Sequence, residues 1–283
     1  MTLHVKNLTL SYSSKSGRKS SRKSGPKSNP KASDNIVIPQ VSLTLNEGEI
    51  TCLIGPNGCG KSTLLKALAG LLSPTEGQVL LDNKTLSNWS PKALARRLTL
   101  LPQSPVAPDD ISVHQLVSYG RFAHQGLFGR MSQQDIDAVD NALNQTGMQP
   151  LKHRIFNTLS GGERQRGWIA LALAQQSDIL LLDEPTTYLD IGHQLEALDL
   201  LSRLNQQQGL TVIMVLHDIN QASQYGDRIL TMKQGRIIAD GTPLEVITPK
   251  LMQQVFGIDI ELIVREQGQK QYPYGMPLTA CSA

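Results

Sequence analysis

Nine residues, Gly55-Pro56-Asn57-Gly58-Cys59-Gly60-Lys61-Ser62-Thr63, lie between a short apolar run, Ile50 to Ile54, and a segment with helical spacing, Ser62 to Leu72. A glycine-rich turn that follows a strand and opens a helix leaves backbone N–H groups bare at a positively polarised helix end, an arrangement that closes around phosphate. Within it, the Lys61 ammonium would bridge β- and γ-phosphates and the Ser62 hydroxyl would ligate Mg²⁺. Such a turn needs a buried strand behind it and a helix packed on that strand, which commits the chain to an α/β fold. By itself the motif specifies a nucleoside triphosphate and nothing narrower.

The rest of the chain supports that fold class. Ile179 to Leu182 and Val212 to Leu216 are continuous apolar runs that end at polar loops, as parallel strands covered on both faces do. Before Glu49 the pattern is alternation instead, with Leu3, Val5, Leu8 and Leu10 answered by Val41, Leu43 and Leu45, which predicts an N-terminal antiparallel β subdomain. Between the parallel strands, Ser132 to Met148 has helical spacing and a capping box at Ser132 and Asp135, which marks a helical subdomain inserted over about 104–160. Arg228 to Gly241 reads as a hairpin turning at Gln234-Gly235, followed by a helix from Pro243 to Phe256. The expectation is a nucleotide-binding core with a mixed or parallel sheet, one domain over 1–265 and a C-terminal tail over 266–283.

Composition removes other classes. Three cysteines, Cys52, Cys59 and Cys281, are too few and scattered for a disulfide framework, which favours a reducing compartment. The N-terminus lacks the apolar stretch of a signal peptide, and no apolar run approaches the roughly 20 residues that span a bilayer. Any membrane role then comes through a partner. The net charge is +3, but seven basic residues (Lys15, Arg18, Lys19, Arg22, Lys23, Lys27, Lys31) share one stretch, and the remainder holds 20 basic against 24 acidic residues. A mildly acidic body argues against a nucleic-acid binder that works by phosphate neutralisation. The stretch 13–34, rich in Ser, Lys, Gly and Pro, reads as a disordered insertion between two strands, either a tolerated solvated loop or a contact for anionic lipid.

Two further motifs carry chemistry. The run Asp178-Ile179-Leu180-Leu181-Leu182-Asp183-Glu184 delivers two carboxylates at a buried strand tip. Asp183 would hold Mg²⁺ through its water shell, and Glu184 would polarise the attacking water as general base. In Leu159-Ser160-Gly161-Gly162-Glu163, Ser160 and Glu163 form a capping box, and two glycines leave N–H groups bare at the start of the helix that continues through Trp168 to Ala174. That is a second anion site in a chain that already has one, and it makes sense if it closes on the nucleotide held by another copy of the protein.

In motif order as well as spelling, and over nearly its whole length, the chain resembles the nucleotide-binding subunits of ABC transporters. The resemblance implies the ABC ATPase fold, with ATP and Mg²⁺ as ligands. It also implies roles for residues that are unremarkable alone. Tyr12 would stack on adenine, and Gln103 in Leu101-Pro102-Gln103 would sense Mg²⁺ and the attacking water. Asp190 in Tyr188-Leu189-Asp190 would couple two active sites, and His217 in Leu216-His217-Asp218 would contact the γ-phosphate. The implied partners are a second copy of the chain, integral membrane permease subunits and, indirectly, a periplasmic or lipid-anchored substrate-binding protein, with no nucleic acid. The implied location is peripheral, on the cytoplasmic face of the inner membrane.

Within that family, Arg164 to Ala170, Thr186 to Ile191 and His217 to Ala222 look like the iron(III)–siderophore importers, with haem and cobalamin importers close behind. Ser112 to Val117 and Tyr119-Gly120-Arg121 agree, in a region where the family contacts its permease. The residues fit two other classes less well. A soluble ABC ATPase acting on DNA would carry a long coiled coil, and one acting on ribosomes a tandem repeat; the chain shows neither heptads nor a repeat. A binding module with a dead site is opposed by Lys61, Glu184 and His217.

Overall fold

A computed structural model of the chain describes residues 2–13, 34–126, 129–268 and 270–280. The expected insertion at 13–34 lies almost wholly outside them. Its flanking strands, β1 (Leu3–Ser13) and β2 (Asp34–Leu45), pair antiparallel with Ser13 opposite Asp34. β4 (Glu76–Leu81) pairs with the other edge of β1 and β5 (Lys84–Thr85) follows it, giving an antiparallel sheet ordered β2-β1-β4-β5.

The second sheet is the frame of the site. β3 (Ile50–Ile54), β6 (Leu98–Leu101), β7 (Ile179–Asp183), β8 (Thr211–Val215) and β9 (Arg228–Lys233) run parallel, and β10 (Arg236–Gly241) folds back on β9, in the order β10-β9-β3-β8-β7-β6. Every residue of β3, β7 and β8 is buried. Their side chains alternate between two cores, as the two-residue strand period requires. Leu53, Leu181, Ile213 and Val215 face the antiparallel sheet and α1 (Lys61–Leu68). Cys52, Leu180, Leu182, Val212 and Met214 face α6 (Ile191–Gln208) and the C-terminal elements. A third core, with Val113, Val139, Leu143, Phe156 and Ala170, belongs to the helical subdomain built from α3 (Val113–Ser118), α4 (Gln133–Gln145) and α5 (Gly161–Ala174), while α2 (Pro91–Ala95) leads into β6. The order of strands places β6 beside β7, so the whole helical subdomain leaves and re-enters the sheet at neighbouring strands.

Several boundaries differ from expectation for local reasons. α1 stops at Leu68, not Leu72, because Gly70 adopts a left-handed φ of 73° and Leu71 N–H turns back to the Lys66 carbonyl. The stretch 243–256 is two helices, α8 (Pro243–Val246) and α9 (Pro249–Phe256), since Pro249 cannot continue a helix and Thr248 caps a new one. The expected capping boxes at Ser132/Asp135 and Ser160/Glu163 are both formed. Within the tail expected over 266–283, β12 (Lys270–Ala280) pairs with β11 (Ile258–Gln267) as an antiparallel β-hairpin. The hairpin is fixed to α7 (Ile219–Tyr225): Ser223 Oγ donates to Pro273 O, and the Asn220 amide exchanges hydrogen bonds with both backbone groups of Gly275. Alternation in Ile258, Ile260 and Leu262 was the available signal.

Candidate functional site

The C-terminal ends of β3, β6, β7 and β8 lie along one edge of the sheet, where parallel α/β folds hold ligands. From β3 the chain enters the glycine turn. Gly55 has φ of 149°, and a Cβ there would sit 2.1 Å from Met232 O of β9, so no other residue fits beneath the turn. Gly58 is the opposite case: it too has positive φ, 74°, but a Cβ would meet nothing within 4 Å, and its backbone faces open space. Gly60, at φ of 104°, starts α1 with no side-chain cap, which leaves the helix's first N–H groups to a ligand.

Lys61 is buried. Its ammonium donates to Gly55 O at 2.7 Å and Pro56 O at 3.0 Å, with Cys59 Sγ at 3.9 Å. Val37, Asn57, Gly58, Gly60, Ser62, Thr63 and Glu184 complete the cavity in front of it. Ser62 Oγ donates to Asp183 Oδ1 at 2.8 Å. Burial pushes the Asp183 carboxyl up, an effect that the Ser62 hydrogen bond opposes and the Glu184 charge adds to. A buried carboxylate that accepts from a hydroxyl and forms no ion pair among the described residues, with the Lys66 and Lys61 charges acting on it through space, fits Ser62 and Asp183 to a hard divalent cation such as Mg²⁺.

Glu184 adopts a left-handed φ of 55°, uncommon for a residue with a side chain and found at functional sites. Both of its carboxylate oxygens are occupied. Oε1 lies 2.6 Å from His217 Nε2, which must donate because a carboxylate only accepts. Oε2 accepts from the Gln103 amide and from Thr187 Oγ1 at 3.1 Å. Gln103 and His217, which follow β6 and β8, thus meet on the carboxylate that follows β7. Thr187 was not singled out from sequence; its only signal was a hydroxyl three residues past Glu184.

Tyr12, at the end of β1, is half-exposed, and its hydroxyl lies 3.4 Å from Thr63 Oγ1. Its ring is therefore at the rim of the cavity. The signature segment stands elsewhere: none of Leu159 to Glu163 lines that cavity. Ser160 N–H donates to Glu163 Oε2 at 2.8 Å and Glu163 N–H returns to Ser160 Oγ at 3.2 Å, which holds the Glu163 carboxyl below its usual range. Ser160 and Gly161 are exposed, and Leu159 is buried. Asp190 caps α6 by accepting from His193 N–H at 3.0 Å, while Tyr188 and Ile191 beside it are strongly exposed. No helix among the described residues is long and apolar enough to cross a membrane.

Comparison with known proteins agrees with this geometry. Residues 38–187 match the ABC transporter family model. The chain is 47% identical over 237 residues to the iron(3+)-hydroxamate import ATP-binding protein FhuC of Bacillus subtilis (strain 168), covering 84% of this chain and 88% of that one. It is 45% identical over 227 residues to the ferric enterobactin transport ATP-binding protein FepC of Escherichia coli (strain K12), covering 80% and 84%. Among solved structures, a dimeric ATP-binding cassette in a post-hydrolysis state with ADP and Pi superposes with a TM-score of 0.69 at 28% identity, over 85% of this chain and 98% of that one. With a phosphate turn, paired strand-tip carboxylates and a capped glycine pair in one cassette, this chain belongs to the ABC transporter family and is one of its ATPases.

Proposed function

We propose that the chain energises an importer of iron(III)–siderophore complexes, working as a homodimer against integral membrane permease subunits. The observation that carries the enzymatic part is Glu184, whose carboxylate is gathered by His217, Gln103 and Thr187 at the mouth of the Lys61 cavity. ATP fits with its phosphates on the N–H groups of Gly58, Gly60, Lys61 and Ser62 and its adenine against Tyr12 at the rim. Lys61 leaves the carbonyls of Gly55 and Pro56 for the β- and γ-phosphates, trading dipoles for full charges. Glu184 accepts a proton from the attacking water, while Gln103 and His217 orient the water and the γ-phosphate. Mg²⁺, held by Ser62 and Gln103 and through water by Asp183, would neutralise phosphate charge.

The cavity in one chain lacks the signature, and the exposed Ser160 and Gly161 lack a ligand of their own kind in the same chain. Both deficits are met when Leu159 to Glu163 of one copy covers the nucleotide held by another, with Asp190 linking the two sites. The cargo reading rests on similarity to the hydroxamate and enterobactin systems named above. A peripheral place on the cytoplasmic face of the inner membrane, and a periplasmic or lipid-anchored binding protein upstream, follow from the importer reading.

The test is co-purification from membranes followed by uptake into proteoliposomes. Recovery with a polytopic permease, and ATP-dependent uptake of a ferric hydroxamate or catecholate, are expected. Uptake of haem or cobalamin instead would replace the cargo, and absence of any permease would remove the transporter reading.

A further inference from the structure

The glycine pair of the signature is not uniform. Gly161 is exposed, and a Cβ there would touch only Leu189 Cδ2 at 3.6 Å, an ordinary contact. Gly162 is buried, and a Cβ there would lie 2.1 Å from Cδ2 and 2.5 Å from Cγ of His193. The His193 ring therefore fills the space that any side chain at 162 would need. Within one chain, it is the His193 imidazole that leaves no room for a side chain at 162.

The ring is itself held in place. His193 Nδ1 lies 2.8 Å from Asp190 Oδ2, and the other carboxylate oxygen accepts the His193 backbone N–H at 3.0 Å. One carboxylate thus caps α6 and orients the imidazole that packs on the start of α5. The next residue reaches the other way. Gln194 Nε2 donates to Leu189 O at 3.0 Å, and its Oε1 accepts from Gln221 Nε2 at 2.6 Å. Gln221 lies in the first turn of α7, whose cap, Asp218, directly follows His217.

We infer that His193 is a positioning residue: its imidazole, locked by Asp190, packs on Gly162 and fixes the attitude of the bare N–H groups at the start of α5. The inference rests on the reading that those N–H groups bind nucleotide in trans. On it, the coupling loop and the signature of one chain move as a single part. A displacement of Asp190 reaches Gly162 through one ring, without passing through the backbone of α5 or α6.

The purified full-length chain tests this with His193→Ala, Gly162→Ala and the double variant. In His193→Ala, amide hydrogen exchange over 160–166 speeds up while the Lys61 turn and the affinity for a fluorescent ATP analogue stay as in wild type. ATP turnover falls roughly tenfold to a hundredfold through kcat, the usual cost of a misplacement of about 1 Å in a binding group. Gly162→Ala is at least as impaired, but in the His193→Ala background the added methyl enters the space the ring has left, and the double variant hydrolyses ATP faster than Gly162→Ala alone. Unchanged exchange over 160–166 in His193→Ala, or a Gly162→Ala defect equally deep in both backgrounds, overturns the inference. Failure of the trans reading is separate: ATP would then not dimerise even a Glu184→Gln chain with its own His193 intact.

Discussion

His217 Nε2 lies 2.6 Å from Glu184 Oε1, so the imidazole past one strand tip and the carboxylate past the next are joined. Glu184 is only slightly exposed, and its backbone is in the left-handed region, both of which restrict where the carboxylate can point. Replacing Glu184 with Gln keeps the shape and the contacts that an amide oxygen can accept but removes the basic site. Turnover is expected to fall by about 10²–10⁴ with nucleotide affinity retained, as measured by phosphate release and fluorescent-nucleotide titration. Near-normal turnover would take Glu184 out of the chemistry.

Thr187 donates to the same carboxylate from the opposite side. A hydrogen bond to a charged group contributes about 1.5–3 kcal/mol, so Thr187→Val should lower kcat by about tenfold while Thr187→Ser stays near wild type. Steady-state hydrolysis with both variants gives the answer, and equal activity of the two would show that the hydroxyl is idle.

Gly55 sits under the phosphate turn with Met232 O where its Cβ would be. Gly55→Ala must move the turn or β9 and also pays for an unfavourable φ, so a loss of at least about 2–3 kcal/mol is expected in chemical denaturation. Gly58→Ala meets no atom and carries only the backbone penalty, about 1 kcal/mol. Equal destabilisation of the two would contradict this account.

Arg121 and Asp135 form a buried pair at 2.8 Å in the helical subdomain, with the guanidinium also donating to Ala174 O at 2.7 Å and Gln176 Oε1 at 2.9 Å. Burial by itself would raise the Asp135 carboxyl, but hydrogen bonds from Ser132 and Arg121 outweigh it and bring the group down to about 2. A depressed carboxylate contributes stability that is complete above its unfolded value near 4 and is lost as pH falls through the folded value near 2. Arg121→Met should cost about 3–5 kcal/mol at neutral pH by stranding the charge, and that deficit should shrink between pH 4 and pH 2. Denaturation curves across that range supply the check.

Truncation at residue 265 removes β12 and with it buried Tyr272 and the bonds to Ser223 and Asn220. Loss of a buried aromatic alone costs about 3–5 kcal/mol, so the truncated chain should melt markedly lower or fail to fold. An unchanged melting temperature would mean the hairpin is an independent appendage.

What could be read from sequence was whatever depends on neighbours along the chain. The glycine turn, the strand tip at Asp183 and Glu184 and the capping boxes at Ser132 and Ser160 are all set within a few residues. The meeting of Gln103 and His217 on one carboxylate depends on the order of β6, β7 and β8, which periodicity does not specify and only the resemblance implies, whereas Thr187 is local to Glu184 but a lone hydroxyl names no partner. The hairpin after Gly257 was passed over because its strands are mostly exposed and its alternation is broken by Pro273, Gly275 and Pro277. His193 was invisible for a different reason: its importance lies in the space beside a glycine thirty-one positions away.

Because β6 and β7 are parallel neighbours, the helical subdomain departs past Leu101 at the edge that holds Gln103 and returns through α5 to Ile179 at the opposite edge, from which β7 runs back to Glu184. A pendant tied to a frame at two separated points swings about the line that joins them, and every swing shows up as a change of angle at the ties. In this chain one of the two ties is the Gln103 segment, whose amide rests on the Glu184 carboxylate, so a push delivered far out on the pendant reaches that contact.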